Sequence, residues 1–470
     1  MSGLLAAAML VIVTQNQVPL RAAPREAAPQ QALLSKGEVL ELREERGDYL
    51  LVYDLKRERQ GYLHASQVRM TALTPEEAPD LLAVTRFLRD TPGEEALGIS
   101  YAAAYLKAVP SRSLTAEPFD AIGIMAERLA QRASTSQPKS VEARTSAQLQ
   151  VVAELGITMK GIDQDSGIQI CYDGEMFRQV LTMPSADPAQ QARAALGLTR
   201  HECVDPALGP TSRYQFDLWR AEVLDHVATE GLNQVLRDRL LMRRAGVLSA
   251  IAFWQSRRSQ NPQLAAARSI EDLAGVDKSR LDGDELSEYA DAAVRVGASR
   301  LAAQTTPGYS GKLIIRTTAA RPGETCVSLF DVKKPDGEPL VRRCTFATVW
   351  RVSASSNADG SALTLGVQPL ATWRELWVFR RAAAGWSVSV LPPDTEGPGL
   401  GYIEAAGWEP NSKRMLVVRE SRLNTHLHRR FEIVRLDTLS SVTQATSPEL
   451  LSGFLRWQDP VWRSNTVALR

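Results

Sequence analysis

The sequence predicts a multidomain α+β protein in three consecutive parts. A compact β unit covers residues 9–71, a mainly α-helical domain covers 74–305 with a β-hairpin near 156–173, and an all-β domain covers 310–470. Three observations predict it. Short apolar alternations punctuated by glycine fill the first part, apolar residues at helical spacing fill the second, and period-two segments fill the third. Seven of the nine tryptophans stand in that last part, at 350, 373, 377, 386, 408, 457 and 462. The chain has 470 residues, 55 basic and 54 acidic, for a formal charge of +1, so a nucleic-acid partner is not expected. A hydrophobic share of 44% with 23% charged residues excludes a disordered or fibrous chain. Five histidines and four cysteines leave little material for metal or nucleophile chemistry.

Leu4 to Val13 is an apolar run too short to span a bilayer and of the length of a signal-peptide core, with no charged segment before it. One hypothesis makes residues 1–8 the remnant of a longer signal, with Ala6-Ala7-Ala8 as the cleavage site and Met9 opening the mature chain. The alternative is a buried first strand of a cytosolic protein.

Within 9–71, alternation shows in Val39, Leu40 and Leu42 and again in Leu51, Val52 and Tyr53, with Gly37, Gly47-Asp48 and Gly61 between strands. Leu20-Arg21, Pro24, Lys36-Gly37, Gly47-Asp48-Tyr49 and Gly61-Tyr62 through Ala65-Ser66 follow one another in an order and spacing that resembles the bacterial SH3-like family. The chain departs from that family where Tyr49 and Tyr62 occupy positions often held by Trp. The resemblance implies a small β-barrel that binds or docks. Tyr49, Tyr53 and Tyr62 stand near Lys56, Arg57 and Arg59 in the chain. Aromatic and basic side chains together suit a peptide or glycan-peptide carrying carboxylates, so Tyr49, Tyr53, Arg57, Arg59 and Tyr62 are the candidate ligand-binding residues. The competing reading is that the tyrosines pack a small barrel with little else to bury.

The helical part opens at Thr74, read as an N-cap before Pro75-Glu76-Glu77, with Leu81, Leu82, Val84, Phe87 and Leu88 as the apolar face. Further helices are expected over 94–109, 117–132, 143–154, 187–198, 213–229 and 232–258. ITMKGIDQDSGIQICYDG reads as a hairpin turning at Asp165-Ser166-Gly167. The apolar AGVLSAIAFW is short enough to be a buried helix rather than a membrane span, and no transmembrane segment is expected.

In 310–470, strands are expected over 312–316, 325–331, 348–352, 362–367, 375–380, 386–391, 414–419, 430–435 and 466–470. Two stretches look alike, with Asp359-Gly360 offset by 52 from Asn411-Ser412. A polar turn, an apolar strand, a loop and a second apolar strand resemble the blades of β-propellers, including the Tol-type periplasmic ones. A β-sandwich or an open curved sheet is an equal alternative.

Cys326 and Cys344 flank a strand, a Pro-Asp-Gly turn and a second strand, which would set them opposite each other. Gly337 lies 11 residues after Cys326 and 7 before Cys344, so the hairpin needs a bulge or a longer loop. Cys171 ends the strand-like GIQIC and Cys203 ends a helix-like run, a strand-to-helix staple. Two structural disulfides and a periplasmic or otherwise extracytoplasmic location are expected; four cysteines allow three pairings, and four buried reduced thiols are the alternative.

Enzymes carrying an SH3-like module often hold a peptidoglycan-cutting domain beside it. Neither Cys171 nor Cys203 stands in the Asp-Cys-Ser helix entry of that hydrolase family, although His201 is close to Cys203. His201-Glu202 lacks the second histidine of a zinc helix, and His426-x-His428 has no third ligand nearby. Gly308-Tyr309-Ser310-Gly311 is not a nucleophile elbow, and Pro398 removes an N–H from the glycine run 397–401. The acids between Asp277 and Glu288 miss calcium-loop spacing, and the arginines from 237 to 258 spread round a helix. No catalytic, metal or cofactor residue is assigned. The expected function is a non-catalytic envelope scaffold recognising a peptide, a peptidoglycan stem peptide or an envelope protein. The rivals are a cell-envelope peptidoglycan hydrolase with a site assembled between domains and a cytosolic regulatory protein.

Overall fold

The computed structural model describes residues 9–164, 167–305, 311–395, 397–423 and 426–466. The residues 1–8 of the signal hypothesis, the turn residues Asp165 and Ser166, the Gly308–Ser310 segment and 467–470 lie outside the described residues. The chain forms two compact units, one of residues 1–208 with 226–236, the other of 209–225 with 237–470. The helical middle is thus shared between them. No described helix is long and apolar enough to cross a membrane.

The first unit begins with seven strands: β1 (Leu10–Val13), β2 (Val18–Arg21), β3 (Gln30–Leu34), β4 (Val39–Arg46), β5 (Tyr49–Asp54), β6 (Arg59–His64) and β7 (Val68–Thr71). They make one antiparallel sheet in the order β3-β2-β6-β5-β4-β1-β7. Its core is Val11, Val13, Val18, Leu20, Leu34, Leu40, Leu50, Val52 and Leu63. β1 is an inner strand, with Val11 opposite Leu40 on one side and Met70 on the other. Its side chains alternate across the sheet, so Ile12 points away from Val11 and Val13 and packs with Leu81, Leu88, Leu97 and Tyr101. Burial on both faces is why this strand is apolar throughout.

Four helices follow, α1 (Ala78–Arg89), α2 (Glu95–Ala108), α3 (Glu117–Ser134) and α4 (Lys139–Glu154), then the hairpin β8 (Met159–Gln164) and β9 (Gly167–Tyr172), and α5 (Glu175–Thr182) and α6 (Pro188–Leu198). The first helix starts later than Thr74: Pro79 sits in its first turn, and the Glu77 carboxylate accepts from the Thr71 hydroxyl and the Ala72 amide, tying the approach to β7. At α6 the expected start holds, with Asp187 and Gln190 forming a reciprocal capping box. Ile99, Ile122, Met125, Leu129, Val151 and Val152 fill the space between α2, α3 and α4. Cys171 on β9 is disulfide-bonded to Cys203 beyond α6, with Cα atoms 5.8 Å apart.

The second unit opens with α7 (Pro210–Asp225), α8 (Gln234–Arg257, belonging to this unit from Arg237), α9 (Gln263–Ala274) and α10 (Gly283–Ser299), where Leu241, Met242, Leu273, Tyr289 and Val296 share a core. A three-stranded sheet comprises β10 (Leu313–Ala319), β11 (Thr325–Asp331) and β12 (Val341–Thr345). Cys326 faces Cys344 directly in the β11–β12 register and is bonded to it, and of the two ways to absorb the unequal offsets, a bulge or a longer loop, the chain takes the longer loop. Eight further strands form one mixed sheet: β13 (Thr348–Ser356), β14 (Ala362–Leu370), β15 (Trp373–Ala382), β16 (Gly385–Leu391), β17 (Leu400–Trp408), β18 (Arg414–Leu423), β19 (His426–Arg435) and β20 (Ser441–Ala445). β13–β16 and β17–β20 are two antiparallel meanders, joined where Trp373 and Arg374 of β15 run parallel to Gly401 and Tyr402 of β17. The chain closes with α11 (Ser452–Trp457) and α12 (Pro460–Thr466). The strand expected at 466–470 is therefore corrected at its first residue, which ends a helix. Asp459 accepts from the Val461 and Trp462 amides and Pro460 opens the turn, a helix-start signal that outweighs the apolar run.

Candidate functional site

Strand parity puts the three tyrosines on one surface. Tyr49, Leu51 and Tyr53 alternate along β5 with the buried Leu50, Val52 and Asp54, and stay half-buried on the outer face. Tyr62 on β6 stands opposite Leu51, and Tyr49 opposite His64, its ring edge-on to the imidazole at 5.4 Å. The tyrosines therefore do not fill the sheet interior, which the aliphatic side chains occupy. The guanidiniums over them come from β4: Arg43 lies 5.2 Å from the Tyr53 ring and Arg46 5.8 Å from the Tyr62 ring. Each is also paired along its own strand, Arg43 with Glu41 and Arg46 with Glu44. That pairing lowers the Glu44 carboxyl and raises Arg46, the Arg46 hydrogen bond being the largest cause.

Arg57 and Arg59 lie elsewhere. Arg57 bonds the buried carboxylates of Glu38 and Asp54, at 2.7 and 2.6 Å. Those hydrogen bonds, Glu38's first, hold its guanidinium above the ordinary range. Asp54 Oδ1 also accepts from the Lys56 and Arg57 amides, fixing the turn between β5 and β6. Arg59 is exposed and reaches the Gln31 carbonyl.

Glu38 and Asp54 border a cavity of about 410 Å³, walled by β1 and β4 on one side and by α2 and α4 on the other. Ile12, Val39, Ala103, Ala104, Val151 and Leu155 supply its apolar lining, and Lys56 pairs with Glu154 at its rim. The turn before β4 approaches α2 closely: Gly37 has φ of 94°, and a Cβ there would sit 3.0 Å from the Ala96 backbone. The Ser100 hydroxyl donates to the Gly37 carbonyl at 2.6 Å.

In the second unit, one carboxylate holds two buried guanidiniums. Glu404 Oε2 accepts from Arg374 at 2.8 Å and from Arg300 Nε at 3.1 Å, while Oε1 accepts from Trp462 Nε1 at 2.8 Å. Burial is the main cause that pushes the Arg374 guanidinium down to about 10, with Glu404 opposing it.

Nucleophilic cysteine chemistry has no thiol here, because all four cysteines are in the two disulfides. The His201–Cys203 dyad is thereby removed. No cluster of metal-ligating side chains occurs among the described residues, and the side chain of His426 lies outside them. No protein-family model, no curated protein and no solved structure matches the chain.

Proposed function

We propose that the protein is a non-catalytic binding and scaffold protein of the cell envelope, whose N-terminal sheet is an SH3-like module that recognises a peptide or peptidoglycan stem peptide through its tyrosine face. The observation that carries this reading is the alignment of Tyr49, Tyr53 and Tyr62 on the outer face of β5 and β6, with Arg43 and Arg46 over the rings. Half-exposed aromatic rings beside guanidiniums offer stacking area and carboxylate pairing together. The antiparallel order of seven short strands supports the SH3-like reading. Two disulfides support an oxidising compartment. The two meanders support a blade-like C-terminal domain, since Asp359-Gly360 and Asn411-Ser412 each lie in the first hairpin loop of their meander.

The test is co-sedimentation of the full oxidised chain with purified peptidoglycan sacculi, compared among wild type, Tyr62→Ala and Arg46→Ala. These side chains sit on the outer face, so the fold is expected to persist, checked by circular dichroism. Loss of one aromatic anchor is expected to weaken binding about tenfold or more. Undiminished sedimentation of both variants, or none by wild type, would overturn the reading.

A further inference from the structure

The cavity of about 410 Å³ between the first sheet and helices α2 and α4 has no part in the tyrosine face, and its walls belong entirely to the first unit. Its apolar lining is aliphatic. Leu10, Val39, Ala103 and Leu155 line it and keep part of their surface exposed, and the buried Ile12, Ala104 and Val151 complete the wall. No described aromatic side chain lines it. Leu55 stands at its lip, 62% exposed in a turn whose next residues are Lys56, Arg57 and Glu58. The apolar surface of the cavity is thereby carried outward into a turn that is otherwise charged.

The polar groups on the wall are already engaged. The Ser100 hydroxyl donates to the Gly37 carbonyl and the Thr71 hydroxyl to the Glu77 carboxylate. Both oxygens of Glu38 accept from Arg57, and Oε1 also accepts from the Ser35 amide. Asp54 accepts from the Arg57 guanidinium and from two amides of its own turn. Among the described residues, no polar side-chain atom of this lining is buried without a partner. A ligand needing hydrogen bonds inside the cavity would have to break one of these and leave a buried group unmet. Charge gives no handle either. Glu38 and Asp54 share Arg57, Glu41 has Arg43 and Glu154 has Lys56. Lys107, exposed at the wall, offsets the carboxylate that Arg57 leaves over, so the site is formally neutral.

We propose that this cavity takes the aliphatic chain of an uncharged amphiphile, chain inward and head at the mouth beside Leu55 and the Lys56–Glu154 pair. An apolar space of about 150 Å³ already admits benzene, and small-molecule pockets run from roughly 300 Å³ upward, so the volume suits a chain of several carbons. The aliphatic lining rewards each methylene that leaves water and offers no ring for an aromatic ligand to stack on. An uncharged head leaves the balanced ion pairs of the wall and mouth in place. The proposal does not depend on the tyrosine face.

The test is calorimetric titration of the full oxidised chain with 1-butanol, 1-hexanol and 1-octanol, and with octanoate and octylammonium. Affinity is expected to rise about tenfold for each pair of methylenes added, and neither charged octyl compound should bind tighter than 1-octanol. Ala103→Phe, which puts a ring into the cavity, is expected to abolish 1-octanol binding. Its urea midpoint, followed by circular dichroism, should be unchanged or higher because the substitution fills space, so lost binding is not lost fold. Leu55 is exposed, so Leu55→Ser tests the lip without touching the core and should weaken binding about threefold or more. Leu33→Ser removes an exposed leucine away from the cavity and should leave the affinity unchanged. Absence of saturable heat from 1-octanol, affinity independent of chain length, or a tenfold preference for octanoate or octylammonium would each overturn the proposal. Unaltered binding in Ala103→Phe or in Leu55→Ser would do the same, as would an equal loss in Leu33→Ser.

Discussion

Replacing each disulfide by an alanine pair should destabilise only the unit that contains it. The Cys171–Cys203 bond spans 32 residues of sequence and lies in the first unit, whereas Cys326–Cys344 spans 18 and lies in the second. A cross-link of these lengths removes about 12 and about 11 cal/mol/K of loop entropy from the unfolded chain, or ~3.7 and ~3.2 kcal/mol at room temperature. Cys171 and Cys326 are buried, so a small loss of packing adds to the cost. The molecule provides its own separate reporters. All nine tryptophans belong to the second unit, so their fluorescence follows that unit alone, while far-UV circular dichroism follows both. In urea, Cys171→Ala/Cys203→Ala should lower the midpoint of the tryptophan-silent transition by roughly 1–2 M and leave the fluorescence midpoint in place. Cys326→Ala/Cys344→Ala should do the reverse. A fluorescence midpoint that moves as far with the first pair as with the second would refute the assignment of bonds to units. A loss below about 1 kcal/mol from both pairs would refute the loop-entropy argument itself.

Gly37→Ala should cost about 1–3 kcal/mol, because its left-handed backbone and the Ala96 main chain at 3.0 Å oppose a Cβ together. Gly47→Ala, left-handed at φ 64° but in open space, should cost about 1 kcal/mol, and equal losses in urea unfolding would count against the close-approach argument. Glu95 gives a pH signature. Burial pushes its carboxyl up, yet the Gly93 amide, its own amide and Arg128 and Arg132 together hold it below its ordinary value of 4.5. Its folded-state value is therefore depressed, so its contribution is complete above about pH 4.5 and is lost as the pH falls through the folded value. Stability measured against pH should fall less steeply below 4.5 in Glu95→Gln than in wild type, and identical slopes would contradict the sign.

What the sequence disclosed followed from local periodicity. β11 occupies the expected span, Thr325–Asp331, because it is bounded by turns and rich in apolar residues. The outward tyrosines of β5 could be read from parity alone. β17 could not: in Leu400–Trp408 the buried positions run Gly401 to Glu404 without alternation, and Gly401, Ala405, Ala406 and Gly407 supply little bulk, so neither signal marks it. The basic partners of the tyrosines were sought among neighbours in the chain, Arg57 and Arg59, but cross-strand contacts depend on register. A bulge between Leu42 and Glu44 brings Arg46 opposite Tyr49, and Arg57 turns instead to the buried Glu38 and Asp54. The cluster around Glu404 left no trace, since Arg300 and Arg374 lie 104 and 30 residues away in the chain and meet it only through tertiary folding.

The double-sided burial of β1 has a mechanical consequence. With Val11 and Val13 committed to the strands and Ile12 to the first two helices, and with Ser100 fastened to the Gly37 carbonyl, the opening strands are not a bead on a string. Displacing these strands therefore means displacing the first two helices with them, so a pull on the sheet would be carried into the helices rather than absorbed in the short stretch between Thr71 and Ala78.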